Sequence, residues 1–267
     1  MYPMGKHSAI EWTDHTFNPW WGCVKVSPAC ANCYAETWSR RVGLRLWGKH
    51  ADRRFFSDEH WRQPILWERE AKKEQLRRRV FCASMADIFE ARQDLDPWRI
   101  RLWDLIISTP NLDWLLLTKR PENVQAIVPW GLSWPSNVWL GVTVENRDYA
   151  TERIPHLLRA PALVRFLSCE PLLGPIDLSA WLSGIDWVIL GGESGRQARP
   201  VDPSWVCDLR DQVVNAGGAF YFKQWGEWRP AAEGFERVGK KSAGRILDGH
   251  VWDEIPQTAG KGLRVPI

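Results

Sequence analysis

The 267-residue chain has no apolar run long enough to cross a bilayer. No charged leader followed by an apolar stretch precedes its first motif, so neither a membrane anchor nor a signal peptide is expected. Its six histidines, His7, His15, His50, His60, His156 and His250, form no HxH or HxxxH pair. None is therefore assigned as a metal ligand, although His15 lies close in sequence to the cysteines discussed below. Cysteine-nucleophile hydrolysis also lacks a suitably paired histidine. There is no phosphate-loop lysine signature, internal repeat, low-complexity tract or pronounced linker. These absences predict one catalytic domain in the cytoplasm, with no membrane partner.

Hydrophobic residues make up 45% of the chain and charged residues 25%, as in an ordinary globular protein. The formal net charge of +3 permits contact with nucleic acid without requiring it. Tryptophan is abundant, with 19 residues. Many of them, such as Trp20, Trp21, Trp114, Trp139, Trp187 and Trp225, fall at the ends of expected elements. Aromatic rings stack on bases and sugars, but packing in the core is the first role to expect. In a reducing compartment, the six cysteines favour metal over disulfides.

Three of those cysteines cluster in NPWWGCVKVSPACANCYAE. Six residues separate Cys23 from Cys30, and two separate Cys30 from Cys33. Three thiolates without a fourth ligand at suitable spacing suit a metal centre with one open position, where chemistry can occur. In a four-iron cluster, protein would hold three irons and leave the fourth for an exogenous ligand.

The rest of the chain alternates between two textures. Continuous apolar runs at 79–85, 113–120, 137–146, 163–171, 186–194 and 218–226 read as strands buried on both faces. An earlier strand is expected over 9–13. Helical segments are expected over 33–46, 61–75, 97–108 (with Asp96 as N-cap), 121–128, 147–158 and 203–215. This order predicts parallel βαβ units in an α/β fold, a partial or distorted (β/α) TIM-type barrel over residues 1–226. Residues 227–267 are expected to form a short extension packed on the barrel, and RILDGHVWDEIP within it reads as a hairpin turning on Asp248 and Gly249.

Each strand runs into polar residues at its C-terminal edge, where parallel α/β folds place their active sites. Ser84 and Asp87 follow one strand; Lys119 and Arg120 the next; then come Glu145 and Asn146; Glu170; Gly191, Gly192 and Glu193; and Lys223, Gln224 and Trp225. Repetition over successive strands points to a composite pocket. Individually, each has a plainer reading. The acids can cap helices, Lys119 and Arg120 can be a solvated pair, and GGESG can be a tight turn. Cys82, Cys169 and Cys207 read as small packing residues.

The run IEWTDHTFNPWWGCVKVSPACANCYAE resembles the opening of a phage- and bacteria-associated three-cysteine family whose activity is poorly defined. SMADIFE, LLLTKRP, GVTVEN, SCEPLLGPI, VILGGESGRQARP and YFKQWGEW extend the resemblance over almost the whole chain. That family is similar to radical S-adenosylmethionine (radical SAM) enzymes. The resemblance implies a [4Fe–4S] cluster on Cys23, Cys30 and Cys33, with S-adenosylmethionine at the open iron. It implies a 5′-deoxyadenosyl radical and a ferredoxin, flavodoxin or reductase as electron donor. Most radical SAM enzymes space their cysteines by three residues and then two; six and two is a departure. SMAD stands where a Gly-Gly-Glu segment usually contacts the methionine amine, which makes Asp87 the candidate there. The resemblance also assigns Ser84 to the cofactor, Lys119 or Arg120 to the methionine carboxylate, and Glu145 and Asn146 to the ribose. Glu170, Glu193 and Lys223 then become catalytic candidates, and Gly191, Gly192, Gln224 and Trp225 substrate-side candidates. The substrate expected is one to be modified or repaired, with a nucleic-acid base among the options. The rival is a non-catalytic metal module, with zinc on the three cysteines, joined by His15 or Cys82, that binds nucleic acid or a partner protein.

Overall fold

The computed structural model describes residue 8 and residues 10–258. Its central sheet has seven strands: β1 (His15–Thr16), β2 (Arg78–Cys82), β3 (Leu112–Thr118), β4 (Val138–Thr143), β5 (Val164–Cys169), β6 (Trp187–Gly191) and β7 (Ala219–Gln224). The strands stand in sequence order and every neighbouring pair is parallel. The sheet curls into a half-barrel with β1 and β7 at its edges. Six helices belong to the layer outside it or to its edge loops: α1 (Tyr34–Arg41), α2 (Asp58–Glu74), α3 (Asp96–Ser108), α4 (Val124–Ile127), α5 (Arg147–Leu158) and α6 (Pro203–Asn215). The β5–β6 crossover carries only a 3-10 turn, Leu182–Gly184.

The strands are apolar throughout because both faces are covered. Alternate residues Val80, Trp114, Leu140, Val142, Leu167, Val188 and Phe222 pack outward against the helices. The intervening set, Phe81, Leu115, Trp139, Phe166, Trp187, Ile189 and Tyr221, fills the concave side. Trp12 joins that cluster, with its ring centroid 4.8 Å from Phe81 and 6.0 Å from Trp187 in edge-to-face contacts. The floor of the half-barrel is therefore a packed aromatic plug.

That plug accounts for one difference from the sequence expectation. The first strand lies at His15–Thr16 rather than over 9–13. Trp12 turns into the barrel, while the Thr13 hydroxyl donates to the carbonyls of Arg79 and His15, both at 2.9 Å. Ala9 lies outside the described residues. Helix α1 also stops short of residue 46, as the Leu44 N–H turns back to the Ser39 carbonyl at 2.9 Å. The released segment returns as Arg54–Phe55, paired antiparallel with Trp20–Trp21. Asp96 opens α3 from inside the helix and bonds Arg99 at 2.6 Å instead of capping it. Segment 121–128 divides into a 3-10 turn, Pro121–Asn123, and α4.

The exposed edge of β7 is covered by the C-terminal extension. Phe222 N–H donates to Trp252 O at 2.9 Å, and Glu254 N–H to Phe220 O at 3.2 Å. The expected hairpin is present, pairing Ile246–Leu247 with His250–Val251. Its turn residues Asp248 and Gly249 have φ of 51° and 75°, the left-handed values that a tight hairpin turn requires. Residues 259–267 of the extension lie outside the described residues. Among the described residues no helix is long and apolar enough to cross a membrane.

Gly141 faces the floor of the half-barrel, and a Cβ there would stand 2.3 Å from the Phe166 ring. Gly141→Ala is expected to destabilise the fold by about 1–3 kcal/mol through overpacking. Adding Phe166→Leu should recover part of that loss, because the two sites share one contact. Denaturant unfolding of both variants measures this; strictly additive losses would contradict the packing assigned here.

Candidate functional site

The chain leaves β1, crosses Trp20–Trp21 and enters the cysteine loop at the C-terminal edge of the sheet. Gly22 forms a parallel bridge with Ala86 and Cys23 with Trp47, so the loop starts anchored. A 3-10 turn, Pro28–Cys30, carries the second cysteine, and Cys33 caps the N-terminus of α1. All three thiols are free and half-buried. The Cys23 sulfur lies 3.4 Å from the Val24 carbonyl and 3.7 Å from Nη1 of Arg120. The Cys30 sulfur lies 3.8 Å from the Ser27 hydroxyl.

Asp87 organises one side of this loop. Its Oδ1 accepts from Phe89 N–H at 3.0 Å and from the Thr118 hydroxyl at 2.8 Å. Its Oδ2 accepts from Lys119 N–H at 3.0 Å and from Arg120 Nη1 at 2.8 Å. Arg120 in turn donates through Nη2 to the Val24 carbonyl at 2.7 Å. The carboxylate is thus fully engaged, and the guanidinium faces the cysteine loop. Burial opposes the charge of Arg120, but Asp87 and Cys23 outweigh it and raise its pKa. Ser84 also fastens the loop: its carbonyl accepts from the Tyr34 hydroxyl at 2.8 Å, and its own hydroxyl from Asn18 Nδ2 at 3.1 Å.

Glu193 organises the other side. Its carboxylate accepts from Arg199 Nη2 at 2.6 Å and Nε at 2.8 Å, and from Asn32 Nδ2 at 3.1 Å. Arg199 Nη2 also donates to the Pro28 carbonyl at 3.1 Å. Burial opposes the charge of Glu193, yet Arg199 and Asn32 hold its pKa below the usual carboxylate value. The loop is therefore strapped between the β2–β3 edge and the loop after β6. Asn32 and Arg199 lie inside quoted motif runs, but nothing in their spacing marks them as partners.

The remaining edge residues divide into two groups. Lys119 Nζ bonds the Thr143 hydroxyl at 3.2 Å, and Lys223 Nζ pairs with Glu170 Oε1 at 3.0 Å. These are charged side chains on the concave face with capacity for further hydrogen bonds. Others serve the scaffold. Asn146 caps α5 by accepting from Tyr149 N–H at 3.2 Å. A Cβ on Gly191 would meet Glu170 Oε1 at 2.6 Å, and one on Gly192 would meet the Trp225 carbonyl at 1.9 Å. These glycines thus permit close packing within the protein. Trp225 is buried against Phe222 and donates to the Ile246 carbonyl at 2.9 Å, and Gln224 donates to the Ser194 hydroxyl at 2.8 Å. Glu145 is fully buried on Arg153 at 2.9 Å, and its Oε1 has no hydrogen-bond partner among the described residues.

Three free thiols on one anchored loop fit an iron–sulfur cluster. Burial pushes Cys23 up to about 12, against the pull of Arg120. Burial also raises Cys33, against the N–H groups of Glu36 and Ala35. A bound cation supplies the positive charge that would favour the thiolates here. Among the described residues, no three His, Cys, Asp or Glu side chains converge to hold one metal ion. Cluster thiolates each bind a different iron and need no common point, whereas a zinc ion requires one. His15 stacks on Trp67 of α2 at 4.3 Å, and Cys82 packs between sheet and helices, so both lie on the helix side of the sheet.

No curated protein matches this chain. Among solved structures it is similar to a tyrosine-to-phenylalanine mutant of spore photoproduct lyase, at 12% identity and a TM-score of 0.48, covering 91% of this chain and 73% of that one. A spore photoproduct lyase complexed with dinucleoside spore photoproduct gives 13% identity and a TM-score of 0.46 over 72% of this chain. The chain spans 59% of the length of that lyase. A double mutant with bound AdoMet and dinucleoside spore photoproduct gives 13% identity and a TM-score of 0.44, covering 79% and 64%. The sequence model of one family, described as protein of unknown function (DUF5131), matches residues 7–256, and the chain belongs to that family.

Proposed function

We propose that this chain is a radical S-adenosylmethionine enzyme whose cluster is held by Cys23, Cys30 and Cys33. One observation carries the reading: a loop of three free thiols is strapped across the C-terminal edge of a parallel half-barrel, beside charged side chains on its concave face. A [4Fe–4S] cluster held by Cys23, Cys30 and Cys33, with S-adenosylmethionine beside it, would supply one-electron reduction and hydrogen abstraction from the substrate. The protein's own work is to hold and orient. Asp87 and Ser84 position the cysteine loop, and Arg120 backs the Cys23 sulfur. Lys119 is the cation for the methionine carboxylate, by a charge-assisted hydrogen bond. Glu170 and Lys223 form the substrate-side ion pair, able to hold or move a proton between carboxylate and amine. The chemistry calls for a one-electron donor protein of the ferredoxin, flavodoxin or reductase kind.

A nucleic-acid base is the substrate class favoured here. Beside the cysteine loop, the Arg54 guanidinium lies 4.8 Å over Trp21 and 5.4 Å over Phe56, in a segment rich in arginine. Basic and aromatic groups together suit a charged backbone with stackable bases.

Anaerobic reconstitution with iron and sulfide should give a broad absorbance near ~400 nm, as thiolate-bound clusters do. Replacing all three cysteines with alanine should abolish it, and reduction with S-adenosylmethionine should yield 5′-deoxyadenosine. A chain that binds zinc without sulfide would overturn the assignment. Glu193→Ala should leave the unfolding transition of the barrel in place while accelerating loss of iron to a chelator, because it removes the acceptor that ties Asn32 of the loop to Arg199. Equal chelation rates would show that this strap is not what holds the site. Gel-shift titration with single-stranded DNA should show binding that weakens steeply with salt; salt-independent binding would rule out a phosphate-driven contact.

A further inference from the structure

We infer that Arg120 sets how readily the cluster accepts an electron, by donating an N–H to the Cys23 sulfur from a charge that Asp87 fixes in place. This rests on the cluster reading above. The Arg120 Nη1 atom is shared between Asp87 Oδ2 at 2.8 Å and the Cys23 sulfur at 3.7 Å, while Nη2 grips the Val24 carbonyl at 2.7 Å. The side chains of Arg120 and Asp87 are each 8% exposed, so solvent screens the guanidinium weakly. Reduction adds one negative charge to a cluster, and part of it spreads onto the ligand sulfurs. A donor hydrogen bond and a fixed positive charge at one of those sulfurs favour the reduced state.

The geometry also requires arginine. One planar fork reaches a carboxylate, a carbonyl and a sulfur together; a lysine ammonium is a point charge on a flexible stem and cannot hold all three in this arrangement. Among the described residues no other guanidinium forms a hydrogen bond to any of the three cysteine sulfurs. Arg120 is thus a positioning residue acting through Cys23. A purely structural role, pinning Val24, would change how much cluster is held without moving its potential.

The test is an anaerobic redox titration of the reconstituted protein followed by electron paramagnetic resonance (EPR), with iron and sulfide measured on each sample. Arg120→Gln should shift the midpoint to more negative potential by at least about tenfold in the reduction equilibrium, about 59 mV for one electron. Arg120→Lys should fall between Arg120→Gln and the wild type. A fully loaded Arg120→Gln protein with an unchanged midpoint would overturn the inference and leave the cluster assignment standing. If wild-type protein forms no cluster, both fall together. Should the variants fold poorly, pulsed EPR of reduced wild-type protein labelled with 15N-arginine decides: a 15N coupling to the cluster is expected, and its absence overturns the inference.

Discussion

The ion pair of Asp87 with Arg120 is the junction on which the site turns. It joins the loop after β2 to the loop after β3, and through the Val24 carbonyl and the Cys23 sulfur it reaches the cysteine loop. Burying two charges is costly unless every lone pair finds a donor. Here both carboxylate oxygens accept two hydrogen bonds each, from Phe89, Thr118, Lys119 and Arg120. Removing either partner of such a pair strands the other and typically costs about 3–5 kcal/mol. The loop thus receives its position from a network in the sheet edge, not from its own few contacts.

Glu193 and Arg199 repeat the device on the opposite side. Together the two ion pairs hold the loop across an otherwise open mouth, while an aromatic floor around Trp12, Trp139 and Trp187 seals the other end. What remains between them is a concave face carrying Lys119, Thr143, Glu170 and Lys223. The division of labour follows from burial: fully satisfied acids position, whereas side chains with unused hydrogen-bonding capacity remain for ligands.

The strands were legible because a sheet covered on both faces leaves continuous apolar runs, and the edge residues because each run ends in polar groups. The helix over 203–215 and the Asp248–Gly249 hairpin followed from local chemistry alone. Roles at the edge were less legible, because they depend on pairings across the fold. Asn32 and Glu193 are 161 positions apart, and no local pattern links them. Asp87 looked available for a ligand until its four donors were seen. Gly191 and Gly192 are substrate-side candidates by resemblance, but a Cβ on either would meet Glu170 or Trp225, so their smallness serves close packing within the protein. Trp12 sat in an apolar stretch that resembled a strand, and tertiary packing drew it into the floor.

The proposed function requires that the three cysteines bind a cluster with one iron left free of protein ligands. Mössbauer spectroscopy of 57Fe-reconstituted protein, with and without S-adenosylmethionine, tests this most directly. The cofactor is predicted to change the signal of about one quarter of the cluster iron and leave the rest unaltered. Spectra identical with and without it, from protein carrying a full complement of iron and sulfide, would contradict the open-corner account.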